Sequence, residues 1–190
     1  MTFSPLAEQK QEARPERLVQ AARDLANETG NAGFTVAQVT ARAGLSLKSF
    51  YRCYPGKDDL LLALLAGDTA IGAEVLEVRM AGRTGADGVE AYVTELFAML
   101  SLPGAAGYAG ILVREYMRLA EHHGDELRAA LAPLHNLLAR NLAGDQPNRD
   151  AEVMFGVLLG GIHDVVTGKV TDTAELARYL HRFCTQGVGR

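Results

Sequence analysis

Cysteine is scarce in this 190-residue chain, which holds only Cys53 and Cys184. Two thiols so far apart in sequence cannot build a disulfide framework or a thiolate metal cluster, and they read as free thiols of a reducing compartment. Long apolar runs are also missing. The longest nearly uncharged one, Val153 to Ile162, is about half of the roughly 20 residues that a bilayer-crossing helix needs, and Met1 to Gln11 has no basic stretch followed by an apolar one. A soluble, cytoplasmic protein with no membrane partner is expected. No segment alternates apolar and polar residues long enough for a strand. The histidines, His122, His123, His135, His163 and His181, lack the His-Glu-x-x-His spacing of metal sites, and neither a Gly-x-Ser-x-Gly elbow nor a phosphate-cradling loop is present. No metal, cofactor or catalytic group is therefore expected.

With 48% hydrophobic and 22% charged residues, the composition is that of a chain that folds. Its charge is unevenly placed. Residues 1–57 carry eight Lys/Arg against five Asp/Glu, whereas residues 58–190 carry eleven against eighteen. The basic end could approach phosphate while the acidic body faces away from it. The length allows a small module attached to a larger body, here 12–57 and 58–190.

Helical periods fill the chain. Leu18, Val19, Ala22, Leu25 and Ala26 behind Pro15 predict a helix from Pro15 to Glu28. Thr35 and Gln38 form a capping-box pair, with Phe34 and Val39 placed as its hydrophobic staple, so a second helix starts here and ends near Ala43 at Gly44. Ser46 caps a short third helix that stops before Pro55-Gly56. A long helix follows from Asp58. Val89 to Leu100, Ile111 to His123 and Leu127 to Leu138 keep helical spacing, with Pro133 expected to kink the last of these. Ala151 to Thr167 is apolar on nearly every side and is expected to be buried all round. Asp172 and Glu175 open a final helix through Leu180 and Cys184. The fold class is all-α: an N-terminal three-helix bundle followed by a larger helical body.

Two short helices joined at Gly44-Leu45 and backed by a third have the geometry of a helix-turn-helix, whose second helix enters the major groove. In that helix Phe50 faces the core, while Leu47, Lys48, Ser49 and Arg52 face outward. Lys and Arg can donate to guanine edges or phosphates, and the Ser49 and Tyr51 hydroxyls can reach phosphate oxygens. The run Thr35-Val36-Ala37-Gln38-Val39-Thr40-Ala41-Arg42-Ala43-Gly44-Leu45-Ser46, followed by Phe50-Tyr51-Arg52-Cys53-Tyr54-Pro55-Gly56-Lys57-Asp58-Asp59-Leu60, resembles the TetR family of bacterial regulators over residues 15–65. The resemblance implies that Leu47, Lys48 and Arg52 read bases, that Thr35, Ser49, Tyr51 and Lys57 hold the phosphate backbone, and that Ser46 opens the recognition helix. The family often has His at the position of Cys53, so a phosphate contact made there is weak or missing.

For the body, the resemblance implies a homodimer formed through the last two long helices and an effector held among the middle ones. Tyr92, Met99, Tyr108, Arg114, Tyr116 and Met117 could line a pocket with an apolar wall and few polar anchors, Arg114 selecting an anion. Each is equally readable as core packing, or as an exposed charge for Arg114. The function expected is that of a transcriptional regulator, a repressor released from double-stranded operator DNA by a small, largely apolar effector. A helical protein-interaction module and an enzyme of unfamiliar type are the alternatives.

Overall fold

Every regular element in the computed structural model, which describes residues 5–186 with side chains from Arg14 onward, is an α-helix. In chain order these are α1 (Pro5–Thr29), α2 (Val36–Ala43), α3 (Leu47–Cys53), α4 (Lys57–Arg79), α5 (Gly85–Leu100), α6 (Ala105–Leu119), α7 (Gly124–Ala139), α8 (Pro147–Val166) and α9 (Thr173–Gln186). They divide into two compact units, Met1–Leu65 and Ala66–Arg190, with the division inside α4. Among the described residues no single helix is long and apolar enough to cross a membrane.

In the first unit α1 packs on α2 and α3, and α2 packs on α3. The apolar stripe of α1 supplies Leu18, Ala22 and Ala26, and Val39, Phe50 and Leu60 complete a core in which all six are inaccessible to solvent. One boundary differs from expectation: α1 begins at Pro5, and Pro15 lies within it. Residues 7–14 (Ala, Glu, Gln, Lys, Gln, Glu, Ala, Arg) are strong helix formers, and their summed propensity outweighs the one hydrogen bond that Pro15 cannot donate.

In the second unit α5 packs against α9, α6 and α7 pack against α8, and α8 packs against α9. Tyr92, Phe97, Leu76, Leu138 and Leu158 are fully buried among them. α6 starts earlier than Ile111, directly after Gly104, and ends at Leu119 rather than His123. α7 runs through Pro133 as one helix. Just ahead of that proline, the carbonyl of Ala130 accepts the Thr69 hydroxyl of α4.

α8 is not buried all round. Ala151, Phe155, Leu158 and Ile162 face inward, whereas Val153, Gly156, Gly160 and His163 are exposed. The two adjacent glycines therefore differ. A Cβ on Gly161 would meet Leu180 Cδ1 at 2.5 Å and Phe97 Cζ at 3.0 Å, while a Cβ on Gly160 would meet nothing within 4 Å. Gly161 is what lets α8 approach α5 and α9.

Candidate nucleic-acid interface

The segment from Thr35 to Lys57 is fixed mainly by local chemistry. The Thr35 hydroxyl accepts the Gln38 amide at 3.2 Å, and Gln38 Oε1 accepts the Thr35 amide at 2.7 Å, which closes the capping box that starts α2. α2 ends because Gly44 takes the left-handed region (φ 63, ψ 38) and the Leu45 amide returns to the Thr40 carbonyl at 2.9 Å. Ser46 is extended and its hydroxyl accepts the Ser49 amide at 3.1 Å, so α3 starts after a very short turn.

Two arginines tie this turn to its neighbours. Arg42 forms a two-pronged pair with Glu28 of α1 at 2.7 and 2.6 Å, and the Arg42 guanidinium holds the Glu28 carboxyl below its ordinary range. Arg17 of α1 donates to the Ala43 carbonyl at the end of α2. Sequence periodicity does not single out Arg17, because its partner is a backbone group 26 residues away.

α3 is seated by Phe50, which is fully buried and touches Tyr51 edge-on with ring centroids 5.3 Å apart. Leu47, Lys48, Tyr51 and Arg52 form the opposite face. Leu47 is 50% exposed and Tyr51 60% exposed, and among the described residues Lys48 and Arg52 have no hydrogen-bond or ion-pair partner. Ser49 is half-buried, its hydroxyl 3.0 Å from that of Ser46. Tyr54 caps the helix end and its hydroxyl donates to the Pro15 carbonyl at 3.5 Å; burial pushes its phenol up to about 12. Lys57 is engaged differently from the arginine and lysine of α3. Its ammonium donates to the Ala32 carbonyl at 2.5 Å and lies 4.8 Å from the Phe34 ring centroid, so it seats the turn ahead of α4.

A short, exposed, cationic helix held by one aromatic ring behind a glycine turn is what major-groove insertion requires. Residues 18–64 match the family model of the bacterial regulatory proteins, tetR family. This domain belongs to the tetR family. The chain that carries the tetR domain is a DNA-binding transcriptional regulator.

Solved structures extend the likeness of fold to the whole chain. A TetR transcriptional regulator from Rhodococcus sp. RHA1 aligns with TM-score 0.74 at 17% identity, covering 95% of this chain and 100% of that one. FadR of Thermus thermophilus, a transcriptional repressor solved with lauroyl-CoA, aligns with TM-score 0.70 at 22% identity, covering 93% and 96%. RolR, solved with resorcinol, aligns with TM-score 0.63 at 22% identity, covering 93% and 89%. Among curated proteins none matches the sequence.

The second unit scatters the six residues named for a ligand pocket. Tyr92 is wholly inside the core, its hydroxyl donating to the Leu134 carbonyl at 3.3 Å and its phenol pushed far up by burial. Met99 is half-buried against the same core. Tyr108 donates to the Asp68 carboxylate of α4. Arg114 and Met117 are exposed. Of the six, Tyr116 lines a space of about 200 Å³ with Leu127, Arg128, Leu131, His135, Glu152 and Phe155. A wider groove of about 740 Å³ lies along Val89, Asn141, Val153, Met154, Val157 and Phe183.

His135, which lines the smaller space, lies outside the six residues that the sequence singles out, although a signal for it existed. It continues the i, i+4 series of Leu127 and Leu131, and a polar ring on an apolar stripe is a candidate anchor.

Proposed function

We propose that this regulator acts as a homodimer that represses transcription from an inverted repeat and leaves it when a small molecule occupies the second unit. The observation that carries the reading is the outward face of α3, where Leu47, Lys48, Tyr51 and Arg52 stand exposed on a helix whose fully buried side chain is Phe50. Leu47, Lys48 and Arg52 read base edges; Thr35, Ser46, Ser49 and Tyr51 hold phosphates; Lys57 braces the turn rather than contacting the backbone. The tetR domain and its lead into α4 carry DNA recognition, and the remainder carries dimerisation and control. The chain works by binding and not by turnover, in the bacterial cytoplasm.

One recognition helix makes too few base contacts for useful specificity, so a two-fold pair reading half-sites about 34 Å apart, or a multiple of it, is favoured. The exposed faces of α8 and α9 support the pairing. Val153 is 64% exposed, Gly156 and Gly160 are bare, and the rings of Tyr179 and Phe183 stack in the open with centroids 6.5 Å apart. Two copies meeting there form a four-helix interface, and the partner covers the groove beside Val153 and Phe183.

Control by a small molecule is supported by neighbours of the same fold solved with lauroyl-CoA and with resorcinol. Within this chain, two hydrogen bonds give a route. Tyr108 of α6 holds Asp68, and Ala130 of α7 holds Thr69, both on α4, the helix that begins in the tetR domain. A ligand acts only through different affinities for the DNA-competent and incompetent states.

The test is selection of bound duplexes from a random pool, followed by sedimentation and gel shift. Enrichment of an inverted repeat bound by a dimer is expected. A monomer that retards all duplexes equally would overturn the reading.

A further inference from the structure

The cavity between α6, α7 and α8 has a chemistry of its own. Its apolar side is built by Leu127 and Leu131 of α7, Phe155 and Leu159 of α8, and the ring of Tyr116 of α6. Arg128, Glu152 and His135 line the same space and bring polar groups to it. His135 Nε2 is buried and, among the described residues, has no hydrogen-bond partner. The imidazole stands edge-on to Phe155, centroids 4.8 Å apart at 74°, so its orientation is set by packing. An unsatisfied buried polar atom destabilises a fold, and a site that keeps one gains when a ligand satisfies it.

Size narrows the ligand. About 200 Å³ lies below the range of drug-sized pockets, while an apolar cavity of about 150 Å³ holds benzene. One ring with a small polar substituent fits; a long acyl chain does not. Charge narrows it further. Burial holds the His135 pKa below its ordinary value, Glu152 opposing in part, which favours the neutral ring. A neutral imidazole nitrogen is a donor in one tautomer and an acceptor in the other. A hydroxyl satisfies either, whereas a carboxylate only accepts and arrives with a desolvation cost. Arg128 offers that carboxylate little, since its guanidinium is already shared between Asp125 at 2.9 Å and Glu152 at 3.9 Å.

We propose that this cavity binds a single-ring phenol, its ring against Phe155, Leu127 and Leu131 and its hydroxyl on His135 Nε2, and that phenols are the effector class of this regulator. Binding at this cavity stands on its lining alone; the effector role rests on the control proposed above.

The experiment compares phenol, toluene and octanoate by calorimetry on the full-length dimer at pH 7.5, together with release of a selected operator by gel shift. Toluene has the shape of phenol without the hydroxyl. Phenol is expected to bind at least about tenfold more tightly than toluene, with octanoate weaker than both, and to shift the His135 imidazole resonances. In His135→Phe, which keeps a ring against Phe155, the preference for phenol over toluene is expected to vanish. His135→Gln, which restores a donor and an acceptor, recovers part of it and guards against misreading a folding defect.

Equal binding of phenol and toluene to the wild type, or a phenol preference that survives in His135→Phe, would overturn the proposal. Phenol binding at His135 without operator release would keep the site and overturn the effector reading. Operator release by another small molecule, with no phenol binding, would keep small-molecule control and overturn both the site and the phenol reading.

Discussion

The guanidinium of Arg17 donates to the carbonyl of Ala43, and its Nη2 lies 3.2 Å from where a Cβ on Gly44 would stand. A long side chain of α1 thus occupies the space that a larger residue in the turn would claim. Gly44 is required twice, once by its backbone (φ 63) and once by its neighbour.

Gly44→Ala is therefore expected to destabilise the tetR domain by about 1–2 kcal/mol from the left-handed backbone alone, more if Arg17 is displaced. Arg17→Ala in the same background should relieve the added part but not the backbone part. Urea titrations of the single and double variants measure this; an unaltered midpoint for Gly44→Ala would refute it.

On the proposed reading, Arg52 and Lys57 should respond differently to truncation. Arg52→Ala is expected to cost about 1–3 kcal/mol on the preferred operator and to relax its sequence preference, with no change in melting temperature, because the side chain is exposed. Lys57→Ala should lower the melting temperature while the slope of log affinity against log salt stays constant, since its ammonium is engaged at the Ala32 carbonyl. A slope reduced by about one would instead put Lys57 on a phosphate.

The glycines of α8 give opposite outcomes. Gly161→Ala drives a Cβ into Leu180 and Phe97 and should cost about 1–3 kcal/mol of stability. Gly160→Ala meets nothing in the single chain, should be neutral or slightly stabilising to its fold, and should weaken self-association. Sedimentation equilibrium beside thermal melts distinguishes them, and an undiminished dimer for Gly160→Ala would place the interface elsewhere.

Acid should weaken the second unit through His135. Burial lowers its folded pKa, with Glu152 pulling the other way, so the unfolded chain takes up a proton near its ordinary value of about 6.5 while the folded chain resists. This contribution is complete above that pH and is lost as pH falls from there through the lower folded value. His135→Phe is expected to flatten the fall in melting temperature between pH 7 and 5. An unchanged profile would contradict it.

Coupling should run through α4. Tyr108→Phe removes the hydroxyl that holds Asp68 and is expected to leave effector affinity close to wild type while reducing operator release, within a typical coupling of about 1–3 kcal/mol. Full release by this variant in gel shift would exclude the bond from the route.

The tetR domain was legible in the sequence because its determinants are neighbours along the chain. Thr35 with Gln38, Gly44 with Leu45, and Ser46 with Ser49 each act within three residues. Pro15 misled, since one missing amide marks a probable helix start yet eight flanking helix formers carry α1 past it. The second unit was legible as helices but not as a site. Nothing local distinguishes Tyr92, buried at the centre, from Met117, on the surface, as both keep helical spacing; their faces are set by how α5 and α6 pack on distant elements. His135 required the reverse attention, to an odd residue within a regular stripe.

The seating of α3 from one side, by Phe50 and the residues at its ends, has an evolutionary consequence. Stability of that helix is invested in one ring and in caps at its two ends, whereas its outward residues touch little of their own protein. Substitutions at Leu47, Lys48 and Arg52 can therefore accumulate without eroding the fold. A duplicated copy can drift to a new operator through folded intermediates, each step selected on recognition alone.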